Sequence, residues 1–194
     1  MVISKILKPY GLPEDIQKEI LDNWEKIRDD YLSLTHEDKV KYMSHYIKEH
    51  GKSFWEEGGM WMTFPLRNYP WGEKINEEKC EFTHQLLSKI PRLRAASFSI
   101  LAPNSKTIKH RGEKDGTLRY HLGLIVPKGA YLSSASKKYK HKEGKMFKFD
   151  DTELHYAHNP TNKDRVVFLF DIEEKFSLLL FIGSIIIKIK SFFK

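Results

Sequence analysis

The segments RYHLGLIVP (Arg119–Pro127) and RVVFLFDI (Arg165–Ile172) decide the fold, because each alternates along its length with a period of two. Both are short and rich in β-branched and aromatic residues. Gly, Pro, Asn and Asp clusters bound them, as they bound a third such segment, AASFSILAP (Ala95–Pro103). From residue 95 onward, strand follows strand with no helix-length pattern between them. That order predicts an antiparallel sandwich or barrel rather than βαβ units. Alternation also assigns faces: Arg119, His121, Gly123 and Ile125 share one, and Tyr120, Leu122, Leu124 and Val126 the other. Arg165 lies with Val167, Leu169 and Asp171, and Ser97, Ser99 and Leu101 share a face in the same way. Cationic and small polar residues facing an enclosed interior need a counterpart, since an unpaired buried charge is costly. A bound dianion would supply one.

Two histidines frame these strands. His110 follows a loop, precedes Arg111-Gly112 and stands eleven residues before His121. His155 closes FDDTELH (Phe149–His155), just past a strand end. Imidazoles carried by loops on a rigid sheet are well placed to hold a divalent metal. The chain has nine histidines, so on spacing alone ordinary surface or hydrogen-bonding roles stay open.

Outward from this core, residues 13–34 read as one amphipathic helix with Pro13 in its first turn and Ile16, Ile20, Trp24, Ile27 and Tyr31 inward. Thr35 and Asp38 resemble a capping pair for a second helix over 36–50, with Val40, Met43 and Ile47 on its inner face. A third helix is expected over 77–90, stopped by Pro91, with Cys80, Thr83, Leu86, Leu87 and Ile90 inward. The stretch FWEEGGMWMTFPLRNYPW (Phe54–Trp71) holds three of the four tryptophans. It reads as an early strand with turns covering the core, or as an aromatic wall facing a substrate. YLSSASKKYKHKEGKMFKFDD (Tyr131–Asp151) fits a lysine-rich hairpin leading into another strand. Its lysines suit a solvated loop or a contact with phosphate or anionic lipid.

The tail from Phe176 to Ile187 has twelve uncharged residues, fewer than the ~20 of a comfortable membrane span. A core element, an interfacial or oligomer-forming helix and a marginal anchor with snorkelling lysines all remain open for it. The organisation expected is a helical part with an aromatic-rich strand (1–94), a β core (95–174) and an apolar tail (175–194). At 194 residues and 40% hydrophobic content the chain is long and apolar enough for one well-cored domain. The single cysteine, Cys80, excludes an intrachain disulfide and a cysteine-based zinc site. The opening MVISKILKPYGLPED does not read as a signal peptide, and no Asn-x-Ser/Thr acceptor occurs. A cytosol-facing location, with membrane association through the tail left open, is therefore expected. The formal charge of +7 is compatible with acidic substrates, anionic membranes or nucleic acid without selecting any of them.

Several fixed intervals occur together: FSILAP, HRG eleven residues before the histidine of RYHLGLIVP, FDDTELH, and an arginine ten residues after its histidine. In this set, residues 95–173 resemble the aspartyl/asparaginyl β-hydroxylases, a branch of the Fe(II)/2-oxoglutarate oxygenases. The runs DG-x-LRYHLGL, FD-x-T and HYA-x-N-x-T also resemble the bacterial lipid A hydroxylases. The resemblance implies a mainly β chain with N-terminal helices and a double-stranded β-helix (jelly-roll, cupin-like) core. It implies His110 and His155 as iron ligands, with Ser99, Arg119, His121 and Arg165 binding the 2-oxoglutarate carboxylates and O₂ as the oxidant. The product would be a hydroxylated C–H on a protein Asp/Asn side chain or on a fatty-acyl chain of a lipid. Many such oxygenases carry a carboxylate two residues after the first histidine, where this chain has Gly112; the branch acting on proteins is similar in having glycine there. Rival readings are a non-catalytic jelly-roll protein binding a metal or small anion, and a basic module for anionic lipid or nucleic acid. Nucleic acid is not the expected partner.

Overall fold

The computed structural model describes residues 11–41, 59–67, 74–112 and 117–173. The helix expected over 13–34 is two, α1 (Glu14–Asp22) and α2 (Trp24–Ser33). They divide at Asn23 (φ −116°, ψ 18°), whose side-chain amide donates to the Glu19 carbonyl at 2.9 Å and competes with the helical ladder. Pro13 precedes the first turn instead of lying within it. Ile20, Ile27 and Tyr31 are buried at the predicted spacing. The capping pair forms: Thr35 N and Oγ1 donate to Asp38 Oδ2, and Asp38 N donates to Thr35 Oγ1 at 3.1 Å. It opens α3 (His36–Lys41); the rest of that expected helix, with Met43 and Ile47, lies outside the described residues. The third helix is a 3₁₀ turn (Glu77–Lys79) followed by α4 (Glu81–Leu87), because Cys80 (φ −138°, ψ 54°) leaves helical geometry between them. Asp30 of α2 accepts from both Thr83 N and Thr83 Oγ1, which ties α2 to the start of α4.

The strands are β1 (Trp61–Arg67), β2 (Leu93–Leu101), β3 (Ser105–Lys106), β4 (Thr117–Ile125), β5 (Tyr131–Ser134), β6 (Lys137–Lys140), β7 (Met146–Asp150), β8 (His155–Asn159) and β9 (Arg165–Glu173). They form two antiparallel sheets, ordered β1-β2-β9-β4-β7 and β3-β8-β5-β6. The result is an antiparallel sandwich, as the alternation predicted, and a jelly roll with helices against one sheet, as the resemblance implied. The lysine-rich stretch is the β5–β6 hairpin followed by β7, and Lys137, Lys138, Lys140, Lys142 and Lys145 are all exposed. Among the described residues no helix is long and apolar enough to cross a membrane; the tail from 174 lies outside them.

The five-stranded sheet has two dissimilar faces. One carries Phe98, Ile100, Tyr120, Leu122, Phe168 and Phe170 into the main core with Ile20, Ile27 and Leu87 of the helices. Phe98 stacks on Phe64 and meets the edge of Tyr31, so ring packing bonds sheet to helix. The other face turns toward the second sheet, and only a small apolar cluster, Leu101, Leu132, Phe149 and Ala157, lies there. The space beside that cluster is lined by polar and charged side chains as well as apolar ones.

Asn159 closes one end of the sandwich. Its amide nitrogen reaches the carbonyls of Leu101 (2.9 Å), Ala102 (2.9 Å) and Lys163 (2.7 Å), joining β8 to the ends of β2 and the β8–β9 turn. Asn159→Ala strands these buried acceptors at about 1–3 kcal/mol. Urea unfolding of the variant is expected to show a lower midpoint with an unchanged slope.

Candidate metal and dianion site

The face toward the second sheet lines a cavity. All six residues singled out by the sequence, Ser99, His110, Arg119, His121, His155 and Arg165, line it, together with Trp61. Strand register explains the convergence. Arg119 pairs with Asp171 and His121 with Leu169 across β4 and β9, while Ser99 and Leu101 of β2 oppose Val167 and Arg165. Residues separated by tens of positions thereby share one surface. Trp61, on edge strand β1, donates its indole N–H to Ser99 Oγ at 2.8 Å. The aromatic stretch therefore acts both as a core strand and, through Trp61, as cavity wall; Trp55 and Trp71 lie outside the described residues.

His110 and His155 are placed by their own backbones. They form an isolated antiparallel bridge, with His110 N donating to His155 O at 3.0 Å and His155 N to His110 O at 2.9 Å. Their ring centroids stand 4.3 Å apart. Each Nδ1 is 2.7–2.8 Å from a carbonyl two residues earlier, Ile108 for His110 and Glu153 for His155. A carbonyl only accepts, so the proton sits on Nδ1 and the lone pair on Nε2. Burial, its largest cause, pushes both imidazoles below their ordinary pKa, His155 to about 4. Two neutral, oriented imidazoles with fixed tautomers are what a divalent metal requires of its ligands. Among the described residues no group of three His, Cys, Asp or Glu side chains is arranged around a metal position.

The missing third side chain has a structural reason. A Cβ on Gly112 would lie 1.9 Å from Asp151 Oδ2 and 2.5 Å from its Cγ. The buried carboxylate of Asp151 fills the space that a side chain at 112 would enter. Its Oδ1 is 3.4 Å from His155 Nε2 and 2.7 Å from Arg119 Nη1. The Arg119 contact is an ion pair without hydrogen-bond alignment, so Oδ1 keeps an acceptor position of its own. Burial raises the Asp151 carboxyl to about 6 against the pull of Arg119. Asp150, its neighbour, does what turn-forming aspartates do, accepting from Thr152 N and Oγ1. Glu113, the acidic residue next to Gly112 in sequence, lies outside the described residues.

The two arginines differ. Arg119 is half-buried and meets Asp171 through two parallel hydrogen bonds of 2.8 and 2.7 Å in addition to the Asp151 pair. Arg165 is 2% exposed, has no ion pair among the described residues and leaves Nη1 without a hydrogen-bond partner. Burial pushes it down to about 10, still charged near neutrality. His121, also buried, contacts His141 through Nδ1 at 3.2 Å and leaves Nε2 unpartnered. In sequence, Asp150 and Asp151 of FDDTELH read as turn formers and partners of the ligands rather than as ligands, whereas His141, inside a lysine run, carries no comparable signal.

Two measurements follow from this electrostatics. Five histidines (His84, His110, His121, His141 and His155) have lowered pKa values, so below about 6.5 the unfolded chain binds protons that the fold refuses. Their stabilising contribution is complete above that pH and is lost as pH falls, for His155 down to about 4. Asp151, raised to about 6, offsets one proton of this. The urea midpoint of metal-free protein should fall between pH 7 and pH 5, and an unchanged midpoint would show the imidazoles charged in the fold. Separately, Gly112→Ala should destabilise by roughly 1–3 kcal/mol through overpacking. Asp151→Ala should absorb most of that loss in a double-mutant cycle; additive effects would remove the carboxylate as the reason for glycine.

Comparison with known proteins follows the same residues. The sequence model of the aspartyl/asparaginyl beta-hydroxylase family matches residues 21–175. The ornithine lipid ester-linked acyl 2-hydroxylase of Rhizobium tropici is 40% identical over 114 residues, covering 57% of this chain and 41% of that protein. The human aspartyl/asparaginyl beta-hydroxylase is 29% identical over 180 residues, 85% of this chain and 22% of that protein. The chain thus spans about two fifths of the first relative and about a fifth of the second. Among solved structures, the Cupin_2 domain of an XRE family transcriptional regulator from Enterobacter cloacae matches with a TM-score of 0.42 at 12% identity, covering 59% of this chain and 98% of that one. With the family match running from α1 past the end of β9, the chain belongs to the aspartyl/asparaginyl beta-hydroxylase family.

Proposed function

We propose that the protein is an Fe(II)/2-oxoglutarate-dependent dioxygenase that hydroxylates an unactivated C–H, with an acyl chain of a lipid as its substrate class. The observation that carries the chemistry is the pairing, in one cavity, of two neutral imidazoles with Nδ1 tied back and a buried arginine that has no counter-charge. His110 and His155 would hold Fe(II) through Nε2, and the Asp151 carboxylate beside them supplies the negative charge that a side chain at 112 does not. With O₂, bound Fe(II) and 2-oxoglutarate supply a two-electron oxidation in which one oxygen atom enters the C–H bond and the cosubstrate becomes succinate and CO₂.

The chain's own residues bind and orient. Fe²⁺ held by two neutral imidazoles would carry +2, which a dianion bound in the same cavity would offset. Arg165 then donates to the far carboxylate, turning its uncompensated burial into charge-assisted hydrogen bonds. Ser99 Oγ accepts the Trp61 indole proton, so its own hydroxyl proton is left to donate to the same carboxylate. Arg119, held on Asp171, reaches the cosubstrate by exchanging its unaligned Asp151 contact. The identity to the Rhizobium tropici acyl hydroxylase favours lipid, and the basic hairpin and the apolar tail sequence suit work at a cytosol-facing anionic membrane surface. Hydroxylation of a protein Asp/Asn side chain is the second reading, favoured by Gly112 and by the human relative.

The test is anaerobic loading with Fe(II) and 2-oxoglutarate, then O₂, with succinate and hydroxylated product measured on ornithine-lipid and acidic-peptide substrates. His155→Ala should abolish succinate formation. Arg165→Met should raise the 2-oxoglutarate requirement about 10–100-fold, the loss of 1.5–3 kcal/mol of charge-assisted bonding. The same variant should leave the metal-free protein more stable by about 1–4 kcal/mol, because an unpaired buried charge is gone. Succinate formation by His155→Ala at the wild-type rate would refute the ligand assignment.

A further inference from the structure

His141 is a buried histidine that the proposed reaction does not use. It follows β6 in the lysine-rich stretch, where its neighbours Lys140 and Lys142 are exposed while it is 6% exposed. Backbone packing brings it inward. A Cβ on Gly123 would lie 2.2 Å from the Lys142 carbonyl oxygen, so only glycine on β4 admits the 142 backbone. Gly123 N donates to Lys145 O, and Gly144 N donates to Gly123 O, at 3.1 and 3.0 Å. His141 is thereby laid along His121, two residues before that glycine, with ring centroids 5.5 Å apart and planes within 20°.

The contact between the rings joins His121 Nδ1 to His141 Nε2 at 3.2 Å. One proton lies between these two nitrogens, and its owner fixes both outer nitrogens. If His121 held it, neutral His141 would carry its own proton on Nδ1. That nitrogen is buried without a partner and its ring is packed against Phe147, so it would be an orphaned donor. If His141 holds it, Nδ1 of His141 is a bare acceptor, and His121 carries its proton on Nε2. His121 lines the cavity, where a ligand can satisfy that N–H; His141 does not. Each arrangement leaves one N–H without a protein partner, but only in the second does that N–H belong to a ring lining the cavity, where an acceptor can be bound.

We propose that His141 is a positioning residue that donates Nε2–H to His121 Nδ1 and so presents His121 Nε2–H, beside Arg165, as a hydrogen-bond donor to a carboxylate in the cavity. The assignment of that carboxylate to 2-oxoglutarate rests on the function proposed above; the proton arrangement requires only an acceptor, water included, in the cavity. An imidazole N–H is a directional donor that neither arginine duplicates, so the dyad selects for an acceptor oxygen at a fixed place on the ligand.

Ring-nitrogen NMR of metal-free, ¹⁵N-histidine-labelled protein tests the arrangement, and calorimetric titration of Mn(II)-loaded protein with 2-oxoglutarate tests its use. The expected spectrum shows His121 protonated on Nε2 and His141 on Nε2. His141→Gln, whose amide can still donate, should keep the His121 tautomer and bind 2-oxoglutarate within about threefold of wild type. His141→Phe should lose the fixed tautomer and weaken binding about tenfold, one hydrogen bond's worth. A His121 proton on Nδ1 in the wild type overturns the proposal, as does wild-type affinity in His141→Phe. If His141→Phe does not fold, the wild-type tautomer and the His141→Gln titration decide. Wild-type protein that shows the expected tautomers but does not bind 2-oxoglutarate would refute the cosubstrate reading and leave the dyad standing.

Discussion

A guanidinium between two sheets is costly without an anion to answer it, and the inner face of this jelly roll is arranged around that cost. Arg119 and Arg165 enter from adjacent strands of the same sheet. Arg119 is answered within the chain, by Asp171 across the strand pair and by Asp151 beyond β7. Arg165 has no ion pair among the described residues, and its Nη1 has no hydrogen-bond partner. Keeping such a residue at 2% exposure costs stability. Ser99, His110, His121 and His155 line the same cavity, and the proposed binding of a metal and a dianion there would answer its charge.

The division of labour between the faces of the five-stranded sheet keeps that sacrifice affordable. Phe98, Phe168, Phe170 and Tyr120 form a continuous aromatic core on the helix side, with Tyr120 and Phe170 stacked at 4.9 Å. Alternation along β2, β4 and β9 puts a core residue beside each site residue, so the rigid face positions the polar one. The site is precise because its residues are every second residue of well-packed strands.

Much of this was legible from spacing. A period of two in RYHLGLIV and RVVFLFDI placed Arg119, His121 and Arg165 inside, and the Thr35–Asp38 pair marked a helix start correctly. What escaped was contact between distant segments. Asn23 divides a helix through a side-chain bond to Glu19 that periodicity does not register. The glycine at 112 reads in sequence as a vacancy, but it is room made for Asp151, 39 positions later by numbering. His141 looks like one more residue of a solvated lysine run, and only the close approach of the 142 backbone to Gly123 turns it inward. Local pattern reports which face a residue takes; it does not report which other chain segment meets it there.

The bridge between His110 and His155 has one more implication. The spacing of the two imidazoles is set by a pair of main-chain hydrogen bonds, not by anything their side chains do. Any side chain placed at either position inherits the same attachment points. Such a scaffold can exchange donor atoms, and with them metal preference or even the capacity for redox chemistry, by single substitutions that leave the frame intact. Functional diversification on this fold is then cheap in mutational steps, because the geometry is stored in the backbone and only the chemistry is written in the side chains.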